Sequence, residues 1–294
     1  MIFMRRMLTG MFVWSLIGLM SCSYAAVEVI KEISQIEEIV PYIDNHTLLV
    51  LDLDNTLIEP EQHIASDQWF DLRFKEYLTS EKNQEAALSQ LLKTYNRSKD
   101  LTNEKLIETK SADIVKKFQK KGNIVLGLTS RGKDIYDSTL RHLTSVGINL
   151  SHQDLKKISY PFLQGESSHA YQGLIMCGGQ NKGRSLVEYI NYLKTHPPLK
   201  QKFSQINKIV YVDDKSKYLE QIKENLHVLG FDSFFGFRYA RLDTKVASMA
   251  SNMEIAHIQE EFLGKILTNE AANDILEARK RREVTKNATK SKAN

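Results

Sequence analysis

Cysteine, proline and tryptophan are scarce in this chain, with 2, 5 and 2 among its 294 residues. Two cysteines exclude a small scaffold held together by disulfides. Few prolines, with only 14 glycines, exclude a collagen-like or low-complexity chain. Long hydrophobic runs are missing too: the run from Met7 to Met20 has 14 residues, short of the roughly 20 that a membrane-spanning helix needs. An excess of one charge is also absent, since 40 basic residues face 36 acidic ones for a net +4. Seven of the basic residues stand with a single acid, Glu283, in residues 279–294, so the body of the chain is mildly acidic. That body lacks the basic face that counterion release requires, which argues against nucleic acid as the main partner. What is plentiful is core material: 42% of the residues are hydrophobic and 26% charged, as in a globular protein.

The N-terminus has the order of an export signal: Arg5-Arg6, the apolar run, then small residues around Ser23-Tyr24-Ala25. Cleavage after Ala25 predicts an exported chain, periplasmic or secreted, with no transmembrane span and with Cys177 as its one cysteine. A rival stands beside it, because Leu19-Met20-Ser21-Cys22 resembles a bacterial lipoprotein box with methionine where a smaller residue is usual. Lipidation of Cys22 would anchor the protein to a membrane.

Three short apolar runs end in polar residues: Leu48 to Leu51 before Asp52, Ile124 to Leu128 before Thr129, and Ile209 to Val212 before Asp213. Unalternated runs of this length predict strands buried on both faces. Helical spacing lies between them, in Tyr136, Leu140 and Leu143 before Gly147, in Leu186, Ile190 and Leu193, and in Leu219, Ile222 and Leu226 before Gly230. The alternation predicts an α/β fold, a Rossmann-like three-layer sandwich with a mostly parallel sheet, whose strand ends direct polar residues into one crevice. Residues 26–59 and 111–278 form this core, with a further strand over 234–239 and helices over 244–278. The stretch between the first two runs is far longer than one crossover needs. Residues 60–110 therefore read as a small helical cap inserted after the first core strand, with Phe70, Phe74, Leu88 and Leu91 buried against each other and Asp67, Arg73 and Lys75 free to face a ligand. Residues 279–294 read as a disordered basic tail.

Asp52-Leu53-Asp54-Asn55-Thr56, directly after a buried strand, is the most informative stretch. Two carboxylates two residues apart at a strand end suit two roles, one attacking phosphorus while the other protonates the leaving oxygen and later deprotonates water. Here the sequence resembles the haloacid-dehalogenase-like phosphohydrolase superfamily, whose first motif is D-x-D-x-T. Three further motifs follow in order: Thr129, with Ser130 beside it, closing the second core strand; Lys182 before a helix; and Asp213-Asp214 closing a later strand. The finer resemblance is to exported acid phosphatases and an exported bacterial family of this superfamily.

That resemblance implies a Mg2+-dependent phosphatase acting on a small phosphorylated substrate through an aspartyl-phosphate on Asp52, with Asp54 as acid and base. A carboxylate approaching a phosphate monoester meets anion repulsion, and a divalent cation bound by Asp52 and Asp213 or Asp214 relieves it. The backbone carbonyl of Asp54 is a further implied ligand. Thr129, Ser130 and Lys182 would hold the phosphoryl oxygens. Where the family often carries a carboxylate or asparagine four residues after the acidic pair's metal ligand, this chain has Tyr218; we favour Asp214 as the direct ligand, with Asp213 as a second ligand or an orienting residue.

Two other readings compete. Gly178 to Ser185 nearly matches a phosphate-binding P-loop, G-x-x-x-x-G-K-[ST], but Arg184 stands where the loop needs lysine, and a nucleotide triphosphatase leaves Asp52 and Asp54 unexplained. A non-catalytic binding or effector protein on the same fold would be marked by loss of Asp52 or Lys182, and both are present. The eight histidines show no zinc-ligand spacing; His169 alone lies in a polar loop that would border the crevice.

Overall fold

The computed structural model describes residues 27–80, 83–151, 154–161, 165–225 and 228–293; the export signal and Cys22 lie outside them. The chain begins with β1 (Val27–Ile33) and β2 (Thr47–Leu51), then β3 (Ile58–Pro60), α1 (Asp67–Ser80), α2 (Gln84–Leu101) and β4 (Glu104–Leu106). Next come α3 (Ser111–Lys120), β5 (Val125–Thr129), α4 (Tyr136–Ser145), the short strands β6 (Ser159–Tyr160), β7 (His169–Tyr171) and β8 (Leu174–Met176), and α5 (Lys182–Leu193). It ends with α6 (Pro197–Phe203), β9 (Lys208–Asp213), α7 (Ser216–Asn225), β10 (Ser233–Tyr239), α8 (Asp243–Ala247), α9 (Met253–Glu261) and α10 (Asn269–Ala293).

Eight strands make one sheet in the order β1-β10-β9-β2-β5-β8-β7-β6. It is parallel from β1 to β8, with β7 and β6 added antiparallel at one edge. All five residues of β2 are buried, as its unalternated run predicts. Leu49, Leu51, Val125, Val210 and Val212 enter one hydrophobic layer, while Leu48, Val50, Leu126, Ile209 and Tyr211 enter the other. Strand periodicity of two thus builds a three-layer sandwich, each fully buried aliphatic side chain contributing about 1.5–3 kcal/mol. Gly147 ends α4 at φ 78°, a left-handed position where a Cβ is unfavourable, and Ile148 N–H donates to Leu143 O at 2.8 Å to close the cap.

Helices α1 and α2 occupy the crossover from β2 to β5, and the antiparallel pair β3–β4 forms its neck. The insert is not a separate core. Trp69, Leu91 and Tyr95 belong to the same hydrophobic cluster as Leu49 and Val212, so the cap helices are continuous with one layer of the sandwich. The C-terminal helices also brace it: Gln259 Oε1 accepts from Ile64 N–H at 3.0 Å, and Arg73 binds Glu260 at 3.0 Å. Arg73 is therefore spent on this buttress rather than facing a ligand.

Two expectations are corrected. The basic tail is helical, not disordered: α10 runs to Ala293, with Arg279 paired to Glu261 at 2.7 Å and Lys280 to Glu254 at 2.7 Å. Its start is anchored by Asn269, which accepts from His63 N–H and Gln259 at 2.9 Å and donates to Glu61 O at 3.1 Å. The repulsion expected of a basic run is offset by acids on α9 and by the high helix propensity of Ala, Leu, Arg and Lys. Leu88, expected in the cap interior, instead stands 37% exposed on the wall of a cleft.

Candidate active site

Chain reversal around β2 sets the site. From β2 the chain builds outward through β5 and β8, then returns to the other side through β9 and β10, so the carboxyl ends of β2 and β9 border the point where strand order switches, the usual place for a ligand crevice. Asp52 N–H donates to Val212 O at 2.9 Å, tying the end of β2 to β9. The loop then turns sharply, with Leu57 and Ile58 N–H both donating to Leu53 O and with Asn55 at φ 59°, a left-handed conformation that asparagine tolerates.

Carboxylate oxygens of Asp52, Asp213 and Asp214 lie within 4.8 Å of one another. One ammonium ties two of them together: Lys182 Nζ, at the first turn of α5, donates to Asp52 Oδ1 at 2.6 Å and Asp213 Oδ2 at 2.7 Å. Burial first, then Asp213, raises the Asp52 carboxyl well above its ordinary range despite Lys182. Burial, then Asp213 and Asp67, pushes Asp214 up to about 8. Burial opposes the Lys182 charge, but Asp213 and Asp52 outweigh it and hold the lysine protonated. The two acids at the end of β9 differ in commitment. Asp213 is wholly buried, its Oδ2 accepting from Lys182 and the Tyr211 hydroxyl and its Oδ1 from Lys215 N–H at 2.9 Å. Asp214 accepts one longer bond, from Asn55 Nδ2 at 3.3 Å, and is the freer donor to a cation. Three hard carboxylate oxygens with a surplus of negative charge fit a divalent ion of the magnesium type.

Asp54 belongs to a different cluster. Arg131, two residues beyond Thr129, grips it with Nε to Oδ2 at 2.8 Å and Nη2 to Oδ1 at 2.7 Å, and Lys99 of α2 adds a bond at 3.1 Å. Glu104 of β4 closes the ring, its Oε1 accepting from Lys99 at 2.6 Å and Arg131 at 2.9 Å. All four side chains are buried. Burial raises the Asp54 carboxyl, but Arg131 and Lys99 overcome that and hold it far below the carboxylate range. His142 stands beside this ring with its pKa pushed down to about 3 by burial and by Arg131 and Lys99, so it is neutral. The role of proton donor expected of Asp54 is therefore opposed by its surroundings here, which favour the carboxylate.

The remaining expected residues meet at the same strand ends. Thr129 is buried and accepts from Arg131 N–H at 3.2 Å. Ser130 donates to the Tyr218 hydroxyl at 2.8 Å, and the Tyr218 ring lies 4.2 Å from Lys182 Nζ, so an aromatic face stands against the ammonium. Ser130, Arg131 and Tyr218 line a cleft of about 270 Å³ that runs out beneath the cap helices. Gly183 has a different use from the one a P-loop assigns it. A Cβ there would stand 1.9 Å from Gln221 O of α7, so this glycine lets two helices touch.

Arg131, Lys99, Glu104 and His142 escaped the sequence reading. Arg131 adjoins the second motif. Lys99 continues the stripe Ala87, Leu91, Tyr95 at steps of four residues, and a lysine on an apolar stripe signals a buried partner. Glu104 carries no such signal.

Comparison with known proteins adds kinship without chemistry. The profile of a family described as "Protein of unknown function (DUF2608)" matches residues 29–273. A Chlamydia pneumoniae chain named "Putative outer membrane protein" is 23% identical over 252 residues, covering 86% of this chain and 89% of that one. A Rickettsia prowazekii chain named "Uncharacterized protein RP296" is 23% identical over 214 residues, covering 69% and 73%. A Chlamydia trachomatis chain, also named "Putative outer membrane protein", is 23% identical over 244 residues, covering 83% and 87%. No solved structure matches the chain. Among the described residues no helix is long and apolar enough to cross a membrane.

Proposed function

Since the chain belongs to the DUF2608 family, which brings no activity with it, the site itself must carry the reading, and we propose that it is a magnesium-dependent phosphatase of the haloacid-dehalogenase-like kind, acting on phosphate monoesters. The observation that carries this is the meeting of Asp52, Asp213 and Asp214 with Lys182 at the ends of parallel strands. With all three carboxyls ionised, one lysine would leave the group with a surplus of negative charge, so a divalent ion would be drawn in as the raised Asp52 and Asp214 carboxyls give up their protons. Bound magnesium would supply charge neutralisation for the carboxylates and the phosphoryl oxygens.

Asp52 is the nucleophile. Its carboxylate oxygen bonds to phosphorus as the bond to the leaving oxygen breaks, and water then attacks the aspartyl-phosphate to release inorganic phosphate and restore Asp52. Lys182, already bonded to Asp52, shifts to the transferring phosphoryl oxygens together with the Thr129 and Ser130 hydroxyls. Asp214, with its freer oxygen, is the direct metal ligand, and Asp213 orients Lys182. Asp54 accepts the proton of the attacking water. Giving one to the leaving oxygen requires Arg131 and Lys99 to release it first.

The second reading, a binding protein on this fold without turnover, is favoured by one observation: both oxygens of Asp54 are engaged by Arg131 and Lys99. Residues 26–294 assayed on a chromogenic phosphate monoester separate the two. Hydrolysis with magnesium that EDTA stops supports the phosphatase, and no hydrolysis across a broad panel of monoesters supports the binding protein. The relatives' printed names support a place outside the cytoplasm, in the periplasm or beyond, consistent with the leader; acylation of Cys22 is tested by mass spectrometry of the protein from membranes.

A further inference from the structure

The cleft beneath the cap has two unlike ends. Toward the strand ends it is polar, with Ser130, Tyr218 and the exposed Lys217, whose ammonium sits 4.7 Å from the Tyr218 ring. Under the cap its wall is Phe70, Leu88, Leu92 and Tyr95. Leu88 and Leu92 are one turn apart on α2, and the buried stripe of that helix, Ala87, Leu91, Tyr95 and Lys99, lies on an adjoining face. The two leucines are 37% and 40% exposed, so they contribute to the cleft rather than to the core.

Polar groups on the same wall are already committed. Asp67 and Asp71 both hold Lys215, at 2.7 and 3.5 Å, and Arg131 is held by Asp54 and Glu104. Asn96 is the further amide that α2 places in the lining, while the remaining polar side chains, Asp134 and Ser167, come from the segments after β5 and before β7 and not from the cap. A sugar or other polyol presents several hydroxyls, each needing a partner once water is excluded, and this wall has few to offer. At about 270 Å³ the space is also smaller than the roughly 300–1,000 Å³ of sites for drug-sized ligands.

We propose that the substrates are small phosphate monoesters whose alcohol part is apolar, with Leu88 and Leu92 as the residues that determine this specificity. This rests on the phosphatase reading above. The phosphate is taken up at the polar end, the ester P–O bond breaks as Asp52 bonds to phosphorus, and the apolar alcohol departs along the leucine wall with a proton from Asp54, which Asp54 regains from the attacking water. Water then yields inorganic phosphate, so one ester and one water give one alcohol and one phosphate.

The test compares hexyl phosphate with glycerol 3-phosphate, both primary alkyl esters of similar intrinsic reactivity, and includes acetyl phosphate, an activated acyl phosphate whose leaving group needs no proton, all with magnesium. The expected result is a kcat/KM roughly tenfold or more in favour of hexyl phosphate, arising mainly in KM. In the Leu88→Asn, Leu92→Asn double variant the preference falls toward parity, while Leu88→Met retains it; both positions are exposed enough for the variants to fold. Turnover of acetyl phosphate with equal or better use of glycerol 3-phosphate overturns the specificity and leaves the phosphatase standing. A preference that survives the double variant likewise removes the leucines from their role. No turnover of any of the three overturns the phosphatase reading and this inference with it.

Discussion

Two buried clusters of charge lie within a few residues of each other and are built on opposite principles. In one, Asp54 and Glu104 face Lys99 and Arg131, two anions with two cations. In the other, Asp52 and Asp213 share Lys182, and Asp214 stands beside them with no cation bound to it among the described residues. The balanced ring joins four elements, the loop after β2, α2, β4 and the end of β5, and so fastens the cap to the sheet. The unbalanced group is left unsatisfied by the protein itself. Buried charge that closes on itself serves structure, and buried charge left open serves binding.

The largest expected effect probes the open group. Asp52→Asn should reduce turnover of a nitrophenyl ester by at least roughly 10³-fold while leaving the urea midpoint unchanged or higher, because it removes one of three mutually repelling carboxylates. A large fall in stability would break the contrast. The converse applies to the ring: Lys99→Met strands Asp54 and Glu104 and should cost about 3–5 kcal/mol in urea unfolding. A change below about 1 kcal/mol would show that the ring does not fasten the cap.

Magnesium comes next. At a hundred times its Kd it should stabilise the folded chain by about 2.7 kcal/mol in thermal unfolding, and Asp214→Asn should remove most of that. The Lys99 variant's response to magnesium should be the same as wild type relative to its own lower baseline. A further effect is in pH. Asp214, held at about 8 against an ordinary 3.8, keeps its proton in the folded chain over a range where the unfolded chain has lost it. The folded state binds the extra proton, so in EDTA stability falls as pH rises from about 5 to 8, and magnesium flattens that slope. Asp54, shifted the other way, contributes stability that is lost only as pH drops below the ordinary carboxylate range. A urea midpoint in EDTA that climbs from pH 5 to 8 would contradict the assignment for Asp214.

The same contrast separates what was legible in the sequence from what was not. Asp52, Thr129 and Asp213 each close an unalternated buried strand, and parallel strands put their ends together, so the open group follows from strand placement alone. The sandwich and the cap's two helices follow from periods of two and of 3.6. Lys99 and Glu104 meet Asp54 through the tertiary seating of the cap, for which no local pattern exists. Edge strand β1 was missed because its charged residues interrupt the apolar signal and its partner β10, at Ser233–Tyr239, is far away in sequence. The tail was misread because two of the acids that pair with its basic residues, Glu254 and Glu261, lie on another helix.

Gly183 sets the reach of Lys182. Helices α5 and α7 meet there with no room for even one methyl group, since that methyl would fall 1.9 Å from a backbone oxygen. Backbone yields little, so any side chain at 183 would move the whole start of α5 outward, and Lys182 with it. The 2.6 Å bond to Asp52 is thus calibrated by the thickness of a neighbouring helix. The alignment of Asp52 and Lys182 is an architectural tolerance, lost by adding bulk at a residue that carries no charge and makes no side-chain contact.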